Sequence, residues 1–422
     1  MSPAILTLII LVISCVLFVT ELLPMGVTAF LTALTLYFTG IIDASTLFGK
    51  LADSNVILIV AMCVVGEAYF QTGMAYKTGK LISRFAKTER ALVVGIMLIG
   101  GVMSGFLSNT GTVAVLMPIA CGIAQSRNIK PIKLLIPLCA AATIGADLSL
   151  AGSPGNMVAK STIEEMSGGT MTVSFLEYAK IGIPLLIVSI IVMVIFGHKL
   201  IPDREAGEAL EMKDYSDVPA WKGKVALGVL LGAIVLMVLT DYISWLPKIH
   251  IIASVAAVLL VITGVLTQKQ AFDSFEMQVV FLLAFMTPLG TALDQTGAGQ
   301  MIADAIVKVT GNSGSFVLLA AMWLLTWALT QFMSNTAACT LLCPIAWSVA
   351  QTMGADPRAV VIAVFIGSSV AVCTPLAIPA NAMIMGPAGA KFKDFIKPGL
   401  LISAVCFVVS MILLPVFYPF YP

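Results

Sequence analysis

The sequence predicts an all-α membrane protein that crosses the bilayer many times and is built from two inverted repeats. Three observations carry this prediction. Hydrophobic residues make up 59% of the 422 residues and charged residues only 11%, which is too few to cover the surface of a soluble fold. Apolar runs of membrane-spanning length recur along the chain, and a set of landmark residues appears in the same order in both halves.

The apolar runs give the candidate transmembrane helices, since a bilayer core of about 30 Å takes about 20 apolar residues per helix. In the first half the runs are 4–20, 24–42, 56–71, 92–125, 132–150 and 180–199. In the second half they are 225–240, 249–266, 277–293, 315–350, 359–373 and 398–417. No Lys or Arg precedes the run 4–20 and no small-residue cleavage site follows it, so we expect a retained span and not a signal peptide. Two short stretches, 76–87 and 299–310, are predicted to be interfacial helices.

The tripeptide Ser-Asn-Thr marks the repeat, at 108–110 in the first half and at 334–336 in the second. Other landmarks recur around it: Pro24 and Pro247, Phe48 and Phe272, Pro154 and Pro379, Asn156 and Asn381, Gly182 and Gly399. Each half holds five single runs, an odd number, and one doubled run that adds an even number of crossings. The second half must therefore run through the membrane in the opposite sense.

This repeat divides the chain into two predicted units and a linker. The first inverted repeat is 1–200, with a re-entrant hairpin at about 91–125 and a broken helix at about 132–165. A charged linker, predicted to be cytoplasmic, follows at 201–222. The second inverted repeat is 223–422, with its hairpin at about 314–350 and its broken helix at about 359–390.

The distribution of basic residues predicts the orientation in the membrane. Of the 23 Lys and Arg residues, 17 fall in loops on one face, and the positive-inside rule makes that face cytoplasmic. Both termini are then external, and the protein is expected in the cell membrane, the plasma membrane or the bacterial inner membrane.

Each Ser-Asn-Thr interrupts a long apolar run, so it is expected to end one half-helix and start the next. Half-helix N-termini attract anions, while freed carbonyl groups hold cations. An isolated tripeptide would more simply join helices by hydrogen bonds, but recurrence at matching repeat positions favours a binding site. The segments 91–126 and 309–357 contain no Lys or Arg, which suggests that co-bound cations, with sodium the best fit, neutralise the anion.

With these motifs the chain resembles the divalent-anion/sodium symporters, the dicarboxylate, citrate and sulfate transporters of the ion transporter superfamily. The resemblance rests on the two tripeptides and on the stretches Gly152-Ser153-Pro154-Gly155-Asn156 and Ala377-Ile378-Pro379-Ala380-Asn381, which are similar to a Gly-Thr-Pro-Pro-Asn family pattern. It implies ten spans, a homodimer, and elevator motion of a hairpin domain against a scaffold, each domain drawn from both repeats.

The resemblance also implies ligand sets, which we carry over position by position. The first sodium site would use Ser104, Ser108, Asn109 and Gly152, and the second Thr330, the carbonyl of Met333, Asn335 and Ala377. The substrate would meet Asn109, Thr110, Asn335 and Thr336, with Pro154 and Pro379 lining the cavity. Gly155 and Ala380 depart from the pattern by replacing its second proline.

Asp147 is a further departure, because the similar family stretch is uncharged at this position. An ionisable group at membrane depth is costly and often functional. We hypothesise that Asp147 adds charge to the first cation site or makes coupling partly proton-dependent; the alternative is that it points into water at the mouth of the cavity. Glu67, also in an apolar run, is expected to pair or to face an interface.

The sequence thus predicts a secondary transporter that imports a small divalent anion with sodium. The alternatives are a sodium-independent anion exchanger of the same fold and a partly proton-coupled symporter that uses Asp147. An intramembrane enzyme is not expected, because the two histidines, His198 and His250, are far apart in sequence and one aspartate stands at mid-membrane depth. A channel is harder to exclude, although inverted repeats with discontinuous helices are typical of alternating access. No organic cofactor and no nucleic-acid partner is predicted.

Overall fold

The computed structural model consists of helices joined by loops. It describes residues 2–20, 22–85, 88–205, 207, 215, 217–243, 245–302, 304 and 314–421. Within these ranges there is no β-strand. The predicted all-α class is therefore confirmed.

The helices fall into two series of the same order. The first series is Pro3–Thr20, Met25–Phe38, Ala44–Gly49, Ser54–Gln71, Met74–Phe85, Glu89–Ser104, Asn109–Ser126, Ile132–Gly145, Pro154–Met166 and Ala179–Val192, the last continuing through the π-helical stretch Met193–Gly197 to Leu200. The second series is Ala220–Leu239, Ile249–Ile262, Gln268–Asp273, Met277–Gln295, Gly314–Thr330, Asn335–Thr352, Pro357–Ser369, Pro379–Met383, Met385–Ala388 and Phe392–Phe417. Residues 76–85 of the predicted interfacial stretch 76–87 lie on Met74–Phe85, and residues 86 and 87 lie outside the described residues. Most of its partner stretch, 299–310, also lies outside them.

Several helices have the length and composition of membrane spans. Among the described residues, five helical segments are long and apolar enough to cross a bilayer, and five apolar helices are shorter. The five longer segments are Ala44–Gln71, Ala179–Leu200, Ala220–Leu239, Met277–Gln295 and Phe392–Phe417. Exposed isoleucines at 183, 187, 191 and 195 form one stripe along Ala179–Leu200, as expected of a face that meets lipid.

Four segments have positions that matter for the site, and we name them here. The first tip helix is Asn109–Ser126 and the second tip helix is Asn335–Thr352; each starts at a Ser-Asn-Thr. The first loop helix is Pro154–Met166 and the second loop helix is Pro379–Met383; each starts at the proline of its broken helix. The second loop helix is the shorter of the two, five residues against thirteen.

The two broken helices are held by the same hydrogen bonds. Asn156 Nδ2 donates to the carbonyl oxygens of Ala146 and Ser149 at 2.8 and 2.5 Å. At the corresponding positions of the second repeat, Asn381 Nδ2 donates to the carbonyl oxygens of Ala371 and Thr374 at 3.0 and 2.9 Å. Each asparagine thus satisfies carbonyl groups that the break in the helix leaves without an intrahelical partner.

Each hairpin is tied to its broken helix by a hydroxyl group. Ser104 Oγ donates to the carbonyl oxygen of Ala142 at 2.6 Å, and Thr330 Oγ1 donates to that of Ser368 at 3.0 Å. These residues lie at matching positions of the two repeats. The internal repeat read from the sequence therefore extends to individual side-chain contacts.

The linker begins against both repeats. Lys133 Nζ lies 3.2 Å from Asp203 Oδ1 and donates to the carbonyl oxygen of Ile201 at 2.5 Å. Arg204 makes a two-pronged contact with Asp394, with both N–O distances at 2.9 Å. Lys133 lies in the first turn of Ile132–Gly145, and Asp394 lies in the first turn of Phe392–Phe417. The start of the linker therefore contacts one helix of each repeat.

Close backbone approach between Glu89–Ser104 and Ile132–Gly145 depends on glycine. A Cβ at Gly145 would overlap the backbone of Gly101. We predict that Gly145→Ala forces these helices apart and lowers the free energy of unfolding by about 1–3 kcal/mol, measured as a lower apparent melting temperature in detergent.

The matched control is Gly232→Ala, because Gly232 lies in Ala220–Leu239 and a Cβ there would meet nothing within 4 Å. It should raise stability, since alanine is favoured over glycine in a helix by about 0.8–1 kcal/mol. Equal effects of the two substitutions would contradict the packing described here.

Candidate functional site

Four helix starts define the candidate site, and three of them are capped by serine. Ser108 Oγ accepts from the backbone N–H of Gly111 at 3.0 Å, and Ser334 Oγ accepts from that of Ala337 at 3.2 Å. Ser153 caps the first loop helix by accepting from the N–H of Gly155 at 3.3 Å. The cap position of the second loop helix is Ile378, which makes no side-chain cap hydrogen bond.

The repeats cross at these helix starts. The first loop helix packs against the second tip helix, and the second loop helix packs against the first tip helix. A Cβ at Gly155 would lie 3.4 Å from Cys339 Sγ on the second tip helix. Cys139 Sγ, in the first broken helix, lies 3.4 Å from the carbonyl oxygen of Ala380. Each half of the site is thus built from one helix start of each repeat.

The residues of the second predicted sodium site are brought together. Thr330 Oγ1 lies 2.7 Å from Asn335 Oδ1 and also donates to the carbonyl oxygen of Ser368. Thr330, Met333, Asn335 and Ala377 are all buried. The N–H of Ala377 donates to Thr374 Oγ1, which in turn donates to the carbonyl oxygen of Gln331 at 2.6 Å.

The residues of the first predicted sodium site show a looser arrangement. Ser104 is fully buried and bonds to Ala142 as described above. Ser108 and Gly152 line one cavity. Asn109 Oδ1 accepts from the backbone N–H of Thr110 at 2.7 Å, so this amide turns back on its own helix start and not toward Ser104.

One cavity of about 110 Å³ lies against Ser108, the first residue of the first Ser-Asn-Thr. From the predicted site it takes Ser108, Gly152 and Pro154. The other predicted substrate residues, Asn109, Thr110, Asn335, Thr336 and Pro379, are not among its lining residues. The structure therefore places three residues of the predicted site in this cavity and the other predicted residues outside its lining.

Two carboxylates that line this cavity were not predicted from the sequence to be site residues. Glu67 and Glu276 line the cavity together with Ser108 and Pro154 and are the charged side chains among its described lining residues. Glu67 Oε1 accepts from Gln71 Nε2 at 2.5 Å. Glu67 carries a sequence signal, a carboxylate in an apolar run, whereas Glu276 stands at the start of a span and carries none.

A second set of polar contacts joins the far end of the first loop helix to neighbouring helices. Lys50 Nζ lies 3.5 Å from Glu165 Oε1, which also accepts from Thr291 Oγ1 at 3.0 Å. Asn55 Nδ2 donates to Ser161 Oγ at 2.8 Å. The first loop helix therefore meets the cavity at Pro154 and a polar bridge at its other end.

Asp147 lies in a single 3-10 turn, Ala146–Leu148, within the first broken helix. Its side chain is 0% exposed, and in the part of the chain that the structure describes neither carboxylate oxygen has a hydrogen-bond partner. It is not a lining residue of the cavity described above. The alternative that Asp147 points into water at the cavity mouth does not agree with this burial.

Comparison with known proteins agrees with this architecture. A transporter from Haemophilus influenzae, named only as an uncharacterised transporter, is 26% identical over 93% of this chain and 87% of its own length. The sodium-dependent dicarboxylate transporter SdcS of Staphylococcus saprophyticus is 21% identical over 93% of this chain and 82% of its own. Among solved structures, the Alcanivorax borkumensis YdaH transporter superposes with a TM-score of 0.64 at 17% identity, covering 99% of this chain and 98% of that one.

The likeness to YdaH shows a shared fold. A family model described as citrate transporter (CitMHS) matches residues 15–254 and 242–421, which together span most of the chain. The chain is therefore a membrane transporter and not an enzyme, and it belongs to the citrate transporter family, consistent with the divalent-anion transporters that its motifs resemble.

Proposed function

We propose that this transporter imports a small divalent anion, a C4-dicarboxylate, citrate or sulfate, together with sodium ions. The observation that carries the proposal is the crossing of the repeats at the Ser-Asn-Thr helix starts, beside a cavity whose described lining residues include neither Lys nor Arg. Oriented N–H groups at the capped helix starts supply the anion contacts. Hydroxyl, amide and carbonyl oxygens beside them supply cation ligands.

Electrostatics support cation coupling. Each helix start supplies roughly half a positive charge, and the second loop helix is too short to contribute fully. The described residues that line the cavity include two carboxylates, Glu67 and Glu276, and neither Lys nor Arg. An unaccompanied dianion would be repelled there, whereas sodium ions would be concentrated. The relative SdcS, named as sodium-dependent, supports the same coupling.

Helix packing supports an elevator motion. The hairpins and broken helices pack on one another, and Met25–Phe38 and Ser54–Gln71 pack on Met277–Gln295 and Ile249–Ile262 of the opposite repeat. We assign the first group to a transport domain and the second to a scaffold. The scaffold would form the homodimer, with both chain termini external. Polar contacts such as Lys50 with Glu165 would join the domains in the present state and separate in the other.

The direct test is uptake of labelled succinate, citrate and sulfate into proteoliposomes, each with an inward sodium gradient and with choline in place of sodium. We expect saturable accumulation of at least one anion that requires sodium. Equal uptake in sodium and choline would favour a sodium-independent exchanger, and unsaturable uptake without accumulation would favour a channel.

A more local test concerns the second sodium site. Thr330→Val removes the hydroxyl that contacts Asn335 and Ser368. We predict that the sodium concentration for half-maximal uptake rises about tenfold, since the loss of a buried polar contact costs about 1–3 kcal/mol. The measurement is a sodium titration of initial uptake rates.

Thr35→Val is the matched control. Thr35 is half-buried on Met25–Phe38 and also bonds to a backbone carbonyl, that of Leu31 at 2.8 Å. Its sodium titration should coincide with that of the unmodified protein. If Thr330→Val gives the same titration as Thr35→Val, Thr330 is not part of a sodium site.

A further inference from the structure

The Asp147 carboxyl group is fully buried in the first broken helix. Both its oxygens lack a hydrogen-bond partner in the described residues. The hydroxyl of Ser369 approaches from the second broken helix but bonds to the carbonyl oxygen of Phe365 at 3.2 Å. A buried polar group is normally paired, so this carboxyl group calls for an explanation.

Among the described residues, those that surround Asp147 supply no positive charge. Four helices pack against its turn: Glu89–Ser104, Ile132–Gly145, Ala179–Val192 and Pro357–Ser369. Among the described residues, the titratable groups close to Asp147 are the thiols of Cys339 and Cys406. The thiol of Cys139 donates to the carbonyl oxygen of Ala380.

The charged residues of these four helices lie elsewhere. Glu89, Arg90, Lys133 and Arg358 stand at the far ends of their helices. Lys180 is closer in sequence to the contact at Gly182, but it lies 2.5 Å from Glu177 and its side chain is 47% exposed. An ionised Asp147 would therefore be a buried charge without a counter-charge, which is strongly unfavourable.

The second repeat shows that the fold does not need this carboxyl group. The residue at the matching position is Val372. A Cβ at Gly182 would lie 2.5 Å from the carbonyl oxygen of Asp147, and a Cβ at Gly399 would lie 2.5 Å from that of Val372. The same backbone packing is thus built once with aspartate and once with valine.

We propose that Asp147 is a proton-binding site, protonated in the present conformation and ionised at another stage of the transport cycle, so that anion uptake is coupled in part to protons. The step is a proton transfer: the O–H bond of the neutral carboxyl group breaks, and the proton passes to water. Coupling rests on the transport function proposed above, whereas proton binding does not.

Proton binding is tested by infrared spectroscopy of the purified full-length protein, by comparison of the unmodified protein with Asp147→Asn. The carbonyl stretch of a neutral carboxyl group should be present at neutral pH, absent from Asp147→Asn, and lost when sodium and a transported anion are added. Absence of the stretch at neutral pH, or its persistence with every anion tested, would overturn the proposal.

Coupling is tested in proteoliposomes that contain a pH-sensitive dye, with Asp147→Asn and with Asp147→Val, which copies the second repeat. Because the proton leaves as the anion binds, an interior about one pH unit more acidic than the exterior should raise anion accumulation up to about tenfold for each coupled proton, and this response should vanish in both variants. Asp294→Asn, a change at an exposed aspartate, should retain it. Anion uptake without proton movement in the unmodified protein would overturn the proposal.

The two proposals fail in different ways. If none of the anions is taken up under any condition, the transport function proposed above fails, and the infrared measurement alone decides whether Asp147 binds a proton. If Asp147→Val unfolds, Asp147→Asn, which preserves the shape of the side chain, carries the test.

Discussion

The structure depends on satisfying the backbone where the two broken helices are interrupted. In a low-dielectric region each unpaired carbonyl or N–H group is costly, and here one asparagine in each repeat meets that need. Asn156 and Asn381 each hold two carbonyl groups of their own loop. With those groups satisfied, each loop helix can start at a fixed place and pack on the tip helix of the opposite repeat. The candidate site is a consequence of that crossing.

The repeats share this framework but differ in the side chains that fill it. Gly105 of the first repeat corresponds to Gln331 of the second, whose Nε2 donates to the carbonyl oxygen of Val370 at 3.1 Å. Asp147 corresponds to Val372. The second half of the site is thereby more densely hydrogen-bonded, while the first half combines an open cavity with a buried carboxyl group.

Much of the fold could be predicted from the sequence, because the features that define it are local and repeated. The capped helix starts at Ser108 and Ser334 follow from the preference of serine for the cap position, and the break positions follow from proline and glycine. Because the Ser-Asn-Thr tripeptide and the proline loop recur at matching positions, the sequence also predicts that each hairpin is followed by a broken helix. The assignment of scaffold and transport domains remains a prediction.

What could not be predicted depends on contacts between distant segments. Glu276 enters the cavity only because its helix packs beside Ser54–Gln71, and Arg204 meets Asp394 across nearly half the chain. No local pattern marks either contact. The shortness of the second loop helix and the folded-back amide of Asn109 are likewise properties of packing. For the same reason the burial of Asp147 could not be distinguished from exposure at a cavity mouth.

The central claim is that anion and sodium bind together at the crossed helix starts, each neutralising the other. The most direct measurement is the dissociation constant of the anion for the purified protein, by calorimetry, over a range of sodium concentrations at constant ionic strength. The account predicts that the anion binds more tightly as sodium rises, and, by thermodynamic reciprocity, that sodium binds more tightly when the anion is present. An anion affinity that does not change with sodium would contradict it.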